Sequence, residues 1–265
     1  MSPIEPQQKS KAKHMRRTFI SLSLALMALC GGASAAELKV LTAGAFKPVI
    51  TALAPAFEQE TGHRLVVDND TAGALQRRIG KGEVFDVVVL TPAALDDLAK
   101  AGKVDAGTAT RLARVGIGVA VKQGTPAPDI GSVAAFRQAL LAARTVAYID
   151  PAAGGSSGVY LSQLFATMGI APQIQAKAVL VPDGLVAQRV VDGQAEIAIH
   201  QISEILAVPG AVLVGPIPAE IQNYTVYAGA MAVAPREPAA AKAFLALLGS
   251  TQARDVLEHK GMQGP

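Results

Sequence analysis

The chain has almost no cysteine, no tryptophan and few aromatic residues. Cys30 is the one cysteine among 265 residues, and it lies in an N-terminal segment that we expect to be removed. Disulfide bonds and thiol chemistry are therefore excluded for the mature chain. Aromatic residues make up 4% of the sequence, which leaves little to stack on nucleic acid bases. No cluster of histidine, cysteine and glutamate has the spacing of a metal site, so we expect neither a metal nor a cofactor.

The N-terminus has the pattern of a secretory signal peptide. A basic start is followed by an apolar run and by Ala33-Ser34-Ala35, an A-x-A cleavage site. The run is too short to favour a membrane span. We therefore predict a signal peptide at 15–35, a disordered extension at 1–14, and a mature protein in the periplasm that does not insert into the membrane. The polar extension leaves open whether Met1 or Met15 is the true start.

Removal of this segment reverses the net charge. The full chain has 24 basic and 21 acidic residues, and residues 1–35 hold five of the bases and one of the acids. The mature chain therefore has 24 − 5 = 19 bases and 21 − 1 = 20 acids, a net charge of −1. The positive charge belongs to the targeting segment, so we expect no nucleic acid partner.

Strand-like and helix-like segments alternate along the mature chain. This alternation predicts an α/β fold of mainly parallel sheets flanked by helices. The predicted strands are 38–41, 64–67, 85–90, 115–121, 145–149, 178–181, 196–200 and 212–214, followed by an extended run at 225–234. The predicted helices are 49–60, 74–79, 92–100, 132–143, 160–168, 185–191 and 239–259.

So many strands fit two lobes better than one sheet. The extended runs at 115–121 and 225–234 are long enough to cross between lobes. We expect lobe 1 to comprise 37–118 and 228–265, and lobe 2 to comprise 119–227. Because ligands of open α/β sheets bind at the carboxyl ends of strands, a ligand cleft is expected between the lobes.

A glycine- and serine-rich loop follows the predicted strand at 145–149. Gly154-Gly155-Ser156-Ser157-Gly158 leads directly into a helix. The first backbone N–H groups of a helix lack intrahelical partners, and the helix dipole adds partial positive charge there. The loop is therefore suited to an anion, with a flexible turn as the alternative. It is not a nucleotide-binding P-loop, since no lysine follows at the required spacing.

Three short motifs occur in an order that resembles a known family. They are Thr42-Ala43-Gly44-Ala45 after the first strand, Thr71-Ala72-Gly73-Ala74-Leu75 after the second, and a third strand that ends in Leu90-Thr91-Pro92. In this order they resemble type II periplasmic binding proteins of the molybdate-binding-protein-like branch. The resemblance covers residues 37–260. It implies the two-lobed periplasmic-binding-protein type II fold, with a small anion in the interlobe cleft.

The chain departs from molybdate binders of this family where they carry serines. Ala43, Gly44 and the Asp70-Thr71-Ala72 turn stand at those places, and His200 lies near an expected tyrosine. Fewer neutral hydroxyl donors, with arginines nearby, favour an organic carboxylate over molybdate. Some members of the branch are aconitate isomerases. The resemblance therefore implies either such an isomerase or a passive receptor for a molybdate-like oxyanion or organic acid, docking on an ABC-transporter membrane component.

An aconitate isomerase needs no cofactor, because its reaction is an allylic proton shift that one acid and one base can perform. The candidate catalytic residues are His200, Tyr160 and Asp150. The candidate ligand-binding residues are Thr42, Ala43, Gly44, Thr71, Ala72, Arg77, Gly155, Ser156, Ser157, Gly158 and Arg189.

Each polar candidate also has a structural interpretation. His200 would otherwise be a core histidine at a strand end, and Asp150 a cap for the loop N–H groups. Tyr160 would otherwise pack under the loop. Arg77 and Arg189 would otherwise belong to solvated helix faces, and the two threonines would be ordinary caps.

Overall fold

The computed structural model describes residues 36–264 and Ser2. Apart from Ser2, the predicted extension at 1–14 lies outside the described residues, as do the predicted signal peptide at 15–35 and Cys30. Within the described part, no helix is both long enough and apolar enough to cross a bilayer.

Two five-stranded sheets, each flanked by helices, make up the described part of the chain. The strands are β1 (Glu37–Ala43), β2 (Arg64–Asp70), β3 (Val87–Leu90), β4 (Thr110–Val115), β5 (Ile117–Lys122), β6 (Val146–Ile149), β7 (Ala178–Val181), β8 (Ile197–Gln201), β9 (Ala211–Pro216) and β10 (Thr225–Met231). The helices are α1 (Lys47–Thr61), α2 (Ala72–Gly80), α3 (Pro92–Lys100), α4 (Val133–Ala142), α5 (Ser156–Thr167), α6 (Ala171–Gln175), α7 (Gln188–Val191), α8 (Ile202–Ile205), α9 (Pro238–Leu248) and α10 (Thr251–His259).

The two sheets have matching topologies. The first has the order β2-β1-β3-β10-β4 and the second the order β7-β6-β8-β5-β9. In each sheet one strand runs antiparallel to the other four. This strand is β10 in the first sheet and β5 in the second. The other strands of each sheet run in one direction, so their carboxyl ends lie at one edge. Strands such as β3, with four buried residues in succession, have both faces covered by helices.

The chain crosses between the sheets at Gly116 and again in the segment 217–224. The predicted strand 115–121 is in fact two strands, because β4 ends at Val115 and β5 begins at Ile117. The Gln222 side chain pairs with both backbone groups of Ile117, at 2.8 and 2.9 Å. The second crossing precedes β10, so Thr225 to Tyr227, which the sequence assigned to lobe 2, belong to the first sheet.

Several helix boundaries differ from the sequence prediction for local reasons. The predicted helix 239–259 is two helices, because Ser250 caps α10 by accepting a hydrogen bond from Ala253 N. The helix predicted at 160–168 begins earlier, at Ser156. The helix predicted at 185–191 contains only α7.

Gly158 is required by the packing of α5 on β6. A Cβ at this position would overlap the carbonyl oxygen of Ile149 and would lie 3.0 Å from its carbonyl carbon. We expect Gly158→Ala to lower the free energy of unfolding by about 1–3 kcal/mol, because the backbone must shift to admit the methyl group. Urea denaturation measures this change.

Gly80→Ala is the matched control, since no atom of residues 36–264 lies within 4 Å of a Cβ at Gly80, the last residue of α2. It should leave stability unchanged or raise it by less than about 1 kcal/mol. A Gly158→Ala protein as stable as the wild type would contradict this account of the α5–β6 contact.

Candidate functional site

A cavity lies between the two lobes, where the carboxyl ends of β1, β2, β6 and β8 converge. This is the expected position of a ligand in an open α/β sheet. The lining combines backbone turns, hydroxyls, amides and two carboxyl groups: Ala43, Gly44, Ala45, Asn69, Asp70, Thr71, Ala72, Ile149, Gly155, Ser156, Ser157, Gly184, His200, Gln201, Glu204 and Tyr227.

The lobes touch across this cavity. Thr71 Oγ1 donates a hydrogen bond to Ala153 O at 2.6 Å, and Gly73 N donates to Gly154 O at 3.2 Å. The backbones of Gly73 and Gly154 are so close that a Cβ on the first would lie 3.0 Å from Cα of the second. The cleft is therefore closed, and groups inside it are shielded from water.

The N-terminus of α5 forms one wall of the cavity. Gly155 occupies the N-cap position and supplies no side-chain hydrogen bond. Within residues 36–264, no side chain caps the first N–H groups of the helix, and the helix dipole places partial positive charge beside them. Ser156 and Ser157 add hydroxyls at the same wall. This wall can hold a carboxylate or another oxyanion.

Gln201 ties both lobes together beneath that wall. Its Nε2 donates hydrogen bonds to Ser156 Oγ at 2.8 Å and to Thr225 Oγ1 at 3.0 Å. The Tyr227 hydroxyl donates to Gln201 Oε1 at 2.7 Å. Burial raises the pKa of Tyr227, so its hydroxyl keeps its proton. These contacts fix the position of Ser156 relative to the first sheet.

His200 and Glu204 form a buried pair in the cavity wall. His200 is 2% exposed and Glu204 is 7% exposed, and His200 Nε2 lies 3.2 Å from Glu204 Oε2. β8 ends at Gln201 and α8 begins at the next residue, so the two side chains meet across a strand-to-helix turn. A Cβ at Gly44 would lie 2.5 Å from Glu204 Oε1. Glycine at this position therefore makes room for the carboxyl group.

Burial favours the uncharged form of both members of the pair. Loss of solvent lowers the pKa of His200 to about 3 and raises the pKa of Glu204 to about 8. The separation would suit an ion pair, but both shifts favour a neutral imidazole beside a protonated carboxyl. Within residues 36–264, His200 Nδ1 is buried without a hydrogen-bond partner. The pair therefore combines a carboxyl group, an imidazole and one unpartnered ring nitrogen in the wall of the closed cavity.

The other two predicted catalytic residues lie apart from His200. The Tyr160 hydroxyl donates a hydrogen bond to Ile221 O at 2.7 Å, and Asp150 accepts one from Ala152 N at 2.9 Å. Neither side chain lines the cavity. Tyr160 packs against the core of the second lobe, and Asp150 caps the turn before α5.

The predicted ligand-binding residues divide into two groups. Seven of them line the cavity: Ala43, Gly44, Thr71, Ala72, Gly155, Ser156 and Ser157. The other four do not: Thr42, Arg77, Gly158 and Arg189.

Each residue of the second group has a separate environment. The Thr42 hydroxyl donates to Ala43 O at 3.1 Å, and Gly158 packs on Ile149. Arg189 donates to Gln194 Oε1 at 2.9 Å. Arg77 is exposed, and its Nη1 would lie 3.8 Å from a Cβ on Gly154, at the rim of the lobe contact.

Sequence reasoning missed Glu204, Gln201, Asn69 and Tyr227. Glu204 could have been predicted from the sequence, because it follows His200 by four residues in His-Gln-Ile-Ser-Glu, where a buried strand ends. Ser203 in the same segment donates to Ala45 O at 2.8 Å and joins the lobes. Within the described ranges, no group of three histidine, cysteine, aspartate or glutamate side chains is placed to hold a metal ion.

The buried pair should shape the pH dependence of stability. The pKa of Glu204 rises from 4.5 when unfolded to about 8 when folded, so its contribution is lost as pH rises through this range. The pKa of His200 falls from 6.5 to about 3, so its contribution is lost as pH falls through that range. Between pH 4.5 and 6.5, the two contributions change the free energy of unfolding in opposite directions as the pH rises. Above pH 6.5, only the contribution of Glu204 still changes among these two, and it decreases as the pH rises.

We therefore expect Glu204→Gln to flatten the decline in the free energy of unfolding between pH 6.5 and about 8. The measurement is urea denaturation of wild type and variant across this range, with Glu220→Gln as the control at an exposed glutamate. Parallel pH profiles for wild type and Glu204→Gln would contradict the elevated pKa of Glu204.

Comparison with known proteins agrees with this architecture. The family model described as "Bacterial extracellular solute-binding protein" matches residues 38–263. An aconitate isomerase from Pseudomonas sp is 38% identical over 249 residues, covering 92% of this chain and 94% of that protein.

Solved structures share the fold at low sequence identity. The periplasmic molybdate-binding protein of Azotobacter vinelandii has a TM-score of 0.73 at 20% identity, covering 86% of this chain and 99% of its own. The sulfate-binding protein SubI of Mycobacterium tuberculosis has a TM-score of 0.69 at 17% identity, covering 86% and 87%. The predicted two-lobed α/β fold and the resemblance to molybdate-binding-type proteins are confirmed. The chain belongs to the family of bacterial extracellular solute-binding proteins.

Proposed function

We propose that this protein is a periplasmic aconitate isomerase that binds the tricarboxylate in the interlobe cleft and moves its double bond by an allylic proton shift. The observation that carries the proposal is the buried contact between His200 and Glu204 in the wall of the closed cavity. The likeness to the Pseudomonas aconitate isomerase supports the choice of substrate. The periplasmic location rests on the signal peptide that the sequence predicts at 15–35.

The pair has the groups that this reaction needs. In the tautomer with its proton on Nε2, His200 donates to Glu204 Oε2, and the lone pair of Nδ1 is free to remove a proton from the methylene carbon of trans-aconitate. The electrons of that C–H bond form the new double bond to the central carbon. The electrons of the old double bond take a proton from Glu204 at the far carbon. General acid–base catalysis by such groups accelerates proton transfer by about 10²–10⁴-fold.

The same contact returns the pair to zero net charge on each group. After the shift, His200 holds two protons and Glu204 holds none. Their facing atoms are 3.2 Å apart, so the Nε2 proton passes to Oε2 and leaves both groups neutral, with the proton of His200 now on Nδ1. When the product leaves and water enters, water takes the Nδ1 proton and returns one to Glu204 Oε1, and the Oε2 proton passes back to Nε2, which restores the starting tautomer. Burial drives this step, because a charged pair in a dry cavity is costly. No external cofactor enters this proton balance.

The wall formed by α5 would stabilise the intermediate. Removal of the methylene proton spreads negative charge over the allyl system and its carboxylates. N–H groups at the start of α5, with the hydroxyls of Ser156 and Ser157, lie at that wall and are held in place before the charge develops. We assign further ligand contacts to Gly44, Thr71 and Ala72. We assign no catalytic role to Tyr160 or Asp150.

A passive receptor that passes its ligand to an ABC-transporter membrane component is the second candidate. The neutral donors at the start of α5 favour it, since hydroxyls and N–H groups alone can hold an oxyanion. The buried pair argues against it. A protonated glutamate beside a neutral histidine adds nothing that an oxyanion receptor requires, whereas an isomerase requires both.

The proposal is tested by incubating the mature protein with trans-aconitate and following formation of the cis isomer. We expect turnover by the wild type. In the variants Glu204→Gln and His200→Gln, kcat should fall by about 10²–10⁴-fold, since each removes one proton-transfer group. Glu220→Gln, at an exposed glutamate outside the cavity, should retain the wild-type rate.

Tight binding of molybdate or tungstate by the wild type, without conversion of trans-aconitate, would refute the isomerase and leave the receptor. Full activity in both variants would remove the buried pair from the mechanism.

A further inference from the structure

A second and larger groove lies beside the cleft and shares a wall with it. Its volume is about 590 Å³, and it also spans both lobes. The wall that the two spaces share consists of Gly44, Asn69, Gly184 and Glu204. Glu204 therefore borders the inner cavity on one side and the outer groove on the other.

The inner cavity and the outer groove differ in the charge of the side chains that line them. No lysine or arginine lines the inner cavity in the described part of the chain, and Asp70 and Glu204 contribute carboxyl groups to it. A tricarboxylate carries three carboxylates at neutral pH. Neutral donors at α5 suit one of them, but a buried anion without a cation is costly. At least one carboxylate needs a positive group outside the inner cavity.

Two lysines provide that positive charge in the groove. Lys47 and Lys260 line it, and among residues 36–264 neither has a carboxylate partner within ion-pair distance. Lys47 Nζ donates to Asn69 Oδ1 at 2.6 Å, so it is held beside a residue of the shared wall. This leaves its positive charge free for a ligand.

The position of Lys260 is fixed by the turn that follows α10. Gly261 has a φ of +70°, and a Cβ there would lie 2.6 Å from Ile202 Cγ2 and 2.9 Å from Leu206 Cδ1. This turn of the first lobe is therefore packed against α8, the helix that carries Glu204. Lys260, which precedes Gly261, is therefore close to the helix on which Glu204 lies.

We infer that the groove is an outer carboxylate subsite, through which a polycarboxylate enters and in which Lys47 and Lys260 hold the carboxylate that projects from the inner cavity. This inference rests on the proposed function, because it assumes a ligand with several carboxylates. The apolar side chains of Leu185 and Leu206 in the same groove suit the carbon skeleton of such a ligand. A single oxyanion, which fits within the inner wall, would gain little from the subsite.

Binding of propane-1,2,3-tricarboxylate tests the subsite by calorimetry. This probe carries the same three carboxylates as aconitate but has no double bond to move. We expect Lys47→Gln and Lys260→Gln each to raise its Kd by about three- to tenfold, as the loss of one partly exposed charge contact would. The double variant should lose most of the dependence of Kd on salt. In turnover, KM for trans-aconitate should rise with little change in kcat.

Lys242→Gln is the matched control. Lys242 is exposed on α9 and lines neither the cavity nor the groove, so its variant should bind as the wild type does. Wild-type Kd, KM and salt dependence in the double variant would overturn the subsite and leave the proposed isomerase intact. Failure of the wild type to bind the probe and to convert trans-aconitate would overturn the proposed function, and the subsite with it.

Discussion

The contact between His200 and Glu204 is the interaction on which the rest of the site depends. Two ionisable groups lie 3.2 Å apart in the interior, and burial favours the uncharged form of each for as long as water is excluded. Lobe closure supplies that exclusion. Thr71, Gly73 and Ser203 all hydrogen-bond across the cleft, and the last of these lies between the two members of the pair in sequence. Closure of the lobes and the proposed proton transfer therefore meet in one short segment, 200–204.

The scaffold explains how a solute-binding fold can host such chemistry. Matching sheets point the carboxyl ends of their strands at one another, so backbone turns from both lobes surround the ligand. The wall formed by the N-terminus of α5 offers N–H groups and hydroxyls, which a receptor for an oxyanion can use equally well. The proposed reactive pair needs three further features. These are a histidine at the end of β8, a glutamate on the next turn, and Gly44 opposite, which leaves room for the carboxyl group. One fold can therefore host either a receptor or an enzyme.

The sequence predicted the fold well because alternating strands and helices, with motifs at successive strand ends, constrain topology strongly. It also placed the loop at the start of α5 and His200 at the cleft, and both line the cavity. It did not predict Glu204, since α8 is only four residues long and has no periodic pattern. Tyr160 and Arg189 were expected at the ligand on sequence position alone, but their side chains face Ile221 and Gln194 instead. The orientation of a side chain depends on tertiary packing, which local sequence does not encode.

The central claim is that the pair moves a proton along an allyl system, as opposed to rotating the substrate about its double bond. Isotopic labelling of the carbon skeleton separates these routes most directly. With ¹³C at the methylene carbon of trans-aconitate, the account predicts cis-aconitate in which the label has become a vinylic carbon, observed by NMR. Product in which the label is still a methylene carbon would contradict it, because the double bond would then not have moved.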